Sequence, residues 1–134
     1  MKRLTLFLLL LSLTPLGHAV AAEKVLVLGG TGRLGAEVVR ATLANGHTVA
    51  VYARSNASRA RLADAKVEYV TGDLGSSAQL DAAIRAVRPT VVIDASGRRT
   101  DDKSYSHAVT MPAIIEAARH VGTRQIIFIS SVGA

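Results

Sequence analysis

The chain contains no cysteine and no tryptophan, and its aromatic residues are two phenylalanines and three tyrosines. Without cysteine there is no disulfide framework and no lipid attached at a thiol, a composition that suits an oxidising compartment without requiring one. With so few aromatic rings there is no platform on which bases could stack, and the arginines are scattered rather than gathered in a stripe. Nucleic acid is therefore not the expected partner. The histidines at 18, 47, 107 and 120 lack the spacing of a metal site, so no metal is expected. There is no internal repeat, no low-complexity tract and no linker between domains. The formal net charge of +6 is modest enough to mean solubility, and it also suits a small anionic ligand.

The first residues read as an export leader. Lys2 and Arg3 precede an apolar run at 4–13, Pro15 and Gly17 break it, and His18-Ala19-Val20-Ala21 offers small residues at signal-peptidase spacing. The run is shorter than the roughly 20 residues that span a bilayer. Residues 1–21 are thus expected to be a signal peptide cleaved after Ala21, giving an exported protein, periplasmic or secreted. An uncleaved membrane anchor is the alternative. Residues 22–134 then form one domain of ordinary small size.

Along that domain, short apolar runs alternate with segments of helical spacing. The pattern predicts strands at 25–28, 48–52, 67–70, 90–94 and 125–130. Helices are predicted at 33–45, 76–87 and 104–121, with a weaker one at 58–63 and a kink or restart at Pro112. Strands 1, 4 and 5 are nearly continuous in apolar residues, as in strands covered on both faces. The expected fold is α/β, a Rossmann-like doubly wound parallel sheet of about five strands in order 3-2-1-4-5.

In such a fold the stretch Val25-Leu26-Val27-Leu28-Gly29-Gly30-Thr31-Gly32-Arg33-Leu34-Gly35 has a physical task. Gly30, Gly32 and Gly35 satisfy G-x-G-x-x-G, while Gly29, Gly32 and Gly35 satisfy the more open G-x-x-G-x-x-G. One glycine permits the turn out of the strand, the next lets a pyrophosphate approach the backbone, and the third lets helix and strand pack closely. The N–H groups that begin the helix then face the phosphates. No Gly-Lys-Ser/Thr follows, which excludes a nucleoside-triphosphate P-loop.

The end of the second strand selects among dinucleotides. An NAD site places an acid there for the ribose hydroxyls, whereas this chain reads Tyr52-Ala53-Arg54-Ser55-Asn56. Arg54 is placed to pair with a 2′-phosphate, with Ser55, Ser58 and Arg59 as further donors. NADP is therefore expected over NAD.

Five landmarks in order carry a family resemblance: GGTGRLG, the arginine after strand 2, Thr71-Gly72-Asp73-Leu74, Asp94-Ala95-Ser96-Gly97 and Ile129-Ser130-Ser131-Val132. Together they resemble the atypical and extended short-chain dehydrogenase/reductases, among them NAD(P)H-binding, NmrA-like and biliverdin/flavin-reductase-like members. The resemblance implies that Gly29, Gly30, Thr31, Gly32, Arg33, Leu34 and Gly35 line the pyrophosphate and that Arg54 contacts the adenosine phosphate. It implies Asp73 and Leu74 beside the adenine, and Ala95, Ser96 and Gly97 beside the riboses.

The family's hydride transfer uses a serine or threonine near the end of strand 5 and a Tyr-x-x-x-Lys on the next helix. Ser130 and Ser131 are the candidates for the first, and Tyr105 is a second candidate near the nicotinamide. The sequence stops at Ala134, before such a helix, and Tyr52, Tyr69 and Tyr105 are not followed by the lysine. Strand 5 is then expected at an open edge that invites a homodimer or a partner chain. Three readings follow. The chain is an NADP(H)-binding domain of a short-chain-type oxidoreductase acting on a small carbonyl, enone or flavin-like substrate; a non-catalytic NAD(P)-binding redox-sensing module; or an inactive truncated fragment.

Overall fold

Side chains that alternate between the two faces of the strands build two separate cores, and these decide where every helix lies. The computed structural model describes residues 21–97 and 107–130, so residues 1–20, where a leader is expected, as well as Tyr105 and Ser131, lie outside the described residues. The elements are β1 (Lys24–Leu28), α1 (Arg33–Ala44), β2 (Thr48–Ala53), a 3-10 turn (Ala60–Leu62), β3 (Glu68–Thr71), α2 (Ser77–Val87), β4 (Val91–Asp94), α3 (His107–Val121) and β5 (Gln125–Phe128). All strand pairs are parallel, in the order β3-β2-β1-β4-β5. This is the Rossmann-like arrangement expected.

On one face Leu26, Leu28, Ala50, Tyr52 and Val92 pack with Leu80, Ile84 and Val87 of α2 and Ile114 and Ala117 of α3. On the other, Val25, Val27, Val49 and Val51 pack with Ala36 and Val39 of α1 and with Leu62. Each fully buried valine, leucine or isoleucine among them contributes about 1.5–3 kcal/mol. Leu62 explains the weak helical signal at 58–63, which resolves into a single 3-10 turn pinned by that one buried residue.

Two expectations are corrected. β5 is not covered like β1 and β4: its residues are exposed or half-buried, with Ile127 37% exposed, because it pairs with β4 alone among the described strands. Nor does α3 restart at Pro112, since the helix runs through it. Proline removes one bond, to the carbonyl four residues back, and the buried Ile114, Ala117 and Ala118 hold the helix on the sheet regardless.

The register aligns the strand ends. Leu28 stands beside Tyr52 and Asp94, and Asp94 beside Phe128. The exits of β1 and β4 therefore lie side by side where the strand order reverses, the place at which open α/β sheets hold ligands.

Candidate cofactor-binding site

The turn out of β1 is built from close approaches that only glycine allows. Gly29 has φ 73, and a Cβ there would sit 2.7 Å from the Ser96 Cα, so the loops after β1 and β4 touch backbone to backbone. A Cβ on Gly30 would lie 2.9 Å from Val51 Cγ1 and 3.2 Å from Val39 Cγ2, and one on Gly35 would overlap the Gly29 carbonyl. Gly30 and Gly35 thus let α1 settle onto the sheet and onto its own entry loop. Gly32 donates its N–H to the Gly29 carbonyl at 3.0 Å and stands at the N-cap of α1, with no side chain capping the helix.

The first bond into α1 is from Ala36 N–H to the Gly32 carbonyl at 2.9 Å, which leaves the N–H groups of Arg33, Leu34 and Gly35 uncommitted. No acidic residue occupies the first turn to answer the positive end of the helix dipole. Leu34 stands 54% exposed beside these donors. Open donors, a glycine cradle that a Cβ would fill and an apolar side chain turned to solvent fit the pyrophosphate of a dinucleotide.

At the exit of β2, Arg54 is exposed, its carbonyl accepts the Ala57 N–H at 3.0 Å, and its guanidinium is uncommitted. The neighbouring donors are more engaged. Arg59 lies 4.0 Å over the Tyr69 ring, and Ser58 Oγ accepts the Ala60 N–H at 3.3 Å. Arg61, which sequence reasoning missed, donates to the Thr31 carbonyl at 3.4 Å, while its own carbonyl accepts from Arg40. Arg61 ties the segment after β2 to the glycine loop. The sequence signal was only the recurrence of arginine at 54, 59 and 61.

The exit of β3 is a knot of hydrogen bonds around Asp73. Its N–H donates to Gln79 Oε1 at 2.8 Å, and its Oδ1 accepts the Gly75 N–H at 2.8 Å. Its carbonyl accepts the Ser76 N–H at 3.1 Å and the Tyr52 hydroxyl at 3.0 Å. Ser76 in turn caps α2 by accepting the Gln79 N–H at 3.3 Å. Burial pushes the Tyr52 phenol up to about 12, with the Asp73 charge adding to it. Leu74 is half-buried against the core that the sheet shares with α2 and α3. Neither Tyr52 nor Gln79 was among the expected site residues.

The exit of β4 carries a buried carboxylate. Asp94 is fully buried, and its Oδ1 accepts both the Ser96 N–H at 3.0 Å and the Ser96 hydroxyl. Ala95 is buried and donates its N–H to the Leu28 carbonyl at 3.0 Å; Gly97 is exposed with open space around it. Ser96 therefore shapes this loop through Asp94. Ser130 is exposed just beyond β5, next to Ile129, whose N–H donates to the Asp94 carbonyl at 2.9 Å. The structure thus brings the residues at 29–35, 54, 73–74, 95–97 and 130 to one end of the sheet.

The profile of the NAD(P)H-binding family matches residues 29–134. The photosystem II assembly factor Ycf39 of Synechocystis sp. is 32% identical over 114 residues, 83% of this chain and 34% of that protein. Sterol demethylase protein B of Methylococcus capsulatus is 33% identical over 113 residues, 81% of this chain and 34% of that protein. Among solved structures, the UDP-glucose 4-epimerase of Thermus thermophilus in complex with NAD superposes with a TM-score of 0.65 at 27% identity, covering 77% of this chain and 36% of the epimerase. The chain spans about a third of the length of the relatives it matches.

Proposed function

Because the chain belongs to the NAD(P)H-binding family, we propose that it is the cofactor-binding part of a short-chain-type oxidoreductase, that it takes NADP(H) in preference to NAD(H), and that its substrate is a small carbonyl, enone or flavin-like molecule. The observation that carries the cofactor preference is Arg54, exposed and uncommitted at the exit of β2 where an NAD site places an acid. A guanidinium there offers two parallel donors to a 2′-phosphate.

The residues divide the work of holding the cofactor. The N–H groups of Arg33, Leu34 and Gly35 take the pyrophosphate, Arg54 takes the adenosine phosphate, and the loops at 73–74 and 95–97 bound the adenosine and ribose sides. Bound, a reduced nicotinamide supplies a hydride. Ser130, exposed beyond β5, is the described hydroxyl we assign to the reacting side. The likeness to an assembly factor supports a second reading, in which the cofactor state is sensed rather than turned over.

Calorimetric titration of the purified chain with NADPH and NADH tests the assignment. We expect tighter binding of NADPH, and an Arg54→Ala protein that loses about tenfold to a hundredfold for NADPH and nothing for NADH, the size of a charge-assisted hydrogen bond of about 1.5–3 kcal/mol. Equal NADPH affinity in Arg54→Ala would sink the phosphate assignment. The leader at 1–21 supports export as part of the same proposal. The bond after Ala21 lies in exposed chain just ahead of Glu23, and N-terminal sequencing of the secreted protein should begin at Ala22.

A further inference from the structure

We propose that Tyr52 is a positioning residue for the adenine side of the cofactor site, acting through the loop at 72–75 rather than by touching the ligand. The inference rests on the cofactor reading above and adds a residue to it. Tyr52 is the next-to-last residue of β2, in register with Val70 of β3, and it is 1% exposed in the core shared with α2 and α3. A phenylalanine would fill that space equally well, so packing does not account for the hydroxyl.

The hydroxyl has one partner, the Asp73 carbonyl, and that carbonyl also receives the Ser76 N–H that begins the cap of α2. A buried hydroxyl without a partner is costly, so the bond is kept wherever the ring goes. The loop is fitted to it from above. A Cβ on Gly72 would overlap the Tyr52 hydroxyl and lie 2.7 Å from its ring Cε2, so residue 72 must be glycine for the loop to rest on the phenol.

With its N–H given to Gln79, its Oδ1 to Gly75 and its carbonyl to Tyr52 and Ser76, Asp73 keeps Oδ2 as its uncommitted acceptor, on an exposed residue. The exocyclic amino group of adenine is a donor of the kind such an oxygen accepts. Tyr52 sets where that oxygen stands.

The test compares NADPH with its deamino analogue, which keeps every phosphate and both riboses but replaces the adenine amino group by a carbonyl. Tyr52→Phe should weaken NADPH about fivefold, one hydrogen bond's worth, leave deamino-NADPH nearly unchanged, and speed amide exchange at Gly75 and Ser76. Equal losses for both ligands, or none, overturn the inference. A second pair guards against a folding effect. Gly72→Ala should weaken NADPH more than tenfold, and Tyr52→Leu in the same chain should recover part of that loss by removing the ring tip. A double variant that binds no better than Gly72→Ala alone overturns the interlock. An unaltered chain that binds neither dinucleotide overturns the cofactor reading and this inference with it. Binding by the unaltered chain with Tyr52→Phe unchanged overturns this inference alone.

Discussion

The two ends of the sheet handle polar groups in opposite ways. At the amino end Glu23 gathers the strand entries: its Oε2 accepts the Thr90 hydroxyl at 2.5 Å, and its Oε1 pairs with Arg124. Its N–H donates to His47 Nδ1 at 3.1 Å and its carbonyl accepts the Thr48 N–H at 2.9 Å. Thr123 adds a bond to the Pro89 carbonyl at 2.9 Å. At the carboxyl end the chain spends glycines instead, leaves the N–H groups at the start of α1 open and keeps Arg54 uncommitted. The bonds of Glu23 close the amino end within the protein, whereas at the carboxyl end the bonded loops at Asp73 and Asp94 flank donors at the start of α1 that are left for a ligand.

The sharpest way to break this contrast is to close the open end from within. In Gly35→Ala the added methyl meets the Gly29 carbonyl and lies 2.8 Å from the Gly30 Cα, both backbone atoms with little room to move. Overpacking of this kind should cost about 3 kcal/mol in a thermal or urea melt. NADPH binding should fall beyond detection in the same titration. Retained affinity would mean that the glycine loop is not the pyrophosphate site.

Alkaline pH probes the seam between the core and the open end. The Tyr52 phenol stands at about 12 in the folded chain against an ordinary 10.0, so the native state keeps a proton that the unfolded chain releases. Its contribution is whole below pH 10 and is lost as the pH climbs through 12, about 3 kcal/mol in all. Urea midpoints measured from pH 9 to 12 should fall, and Tyr52→Phe should flatten that slope. An unchanged slope would place the alkaline loss elsewhere.

How far the sequence foretold each end follows from the range of the interactions. β1, the glycine loop and α1 are local, and their apolar runs, spacing and turn chemistry lie within one stretch of about twenty residues, so strand order and cradle were legible together. Asp94 to Ser96 is equally local, yet the motif showed the residues without showing that the carboxylate serves the serine. The interlock of Tyr52 with Asp73 joins residues 21 apart, and Glu23 reaches partners 67 and 101 residues away. These contacts depend on register, which periodicity does not specify when strands are buried on both faces. β2 and β5 illustrate the limit: each is an apolar run behind one polar residue, yet β2 is buried along that run and β5 is exposed or half-buried.

Opening the closed end should separate stability from binding. Glu23→Ala removes the acceptor of Thr90 and the partner of Arg124, but Arg124 is 64% exposed and Thr90 retains the Lys24 carbonyl at 3.2 Å. The loss should be about 1 kcal/mol in a melt, with NADPH affinity unchanged. A drop in affinity as large as the drop in stability would show that the two ends are coupled.

The smallest effect should run the other way. Arg88, the C-cap of α2 on the approach to β4, is held at φ 50 and ψ 56, left-handed backbone that costs a side-chain-bearing residue about 1 kcal/mol. Its N–H already closes the helix onto the Ile84 carbonyl at 2.8 Å, a bond that glycine retains. Arg88→Gly relieves the strain, loses a favourable charge at the helix end and gives the unfolded chain more freedom, so the net gain should be about 0.5 kcal/mol, roughly 2 °C in the melt. Because the change lies at the closed end, NADPH affinity should not move with it. A stabilised protein with altered affinity would mean that the cap of α2 transmits to Gln79 and the loop it holds at the other end of the same helix, a helix that joins the two ends.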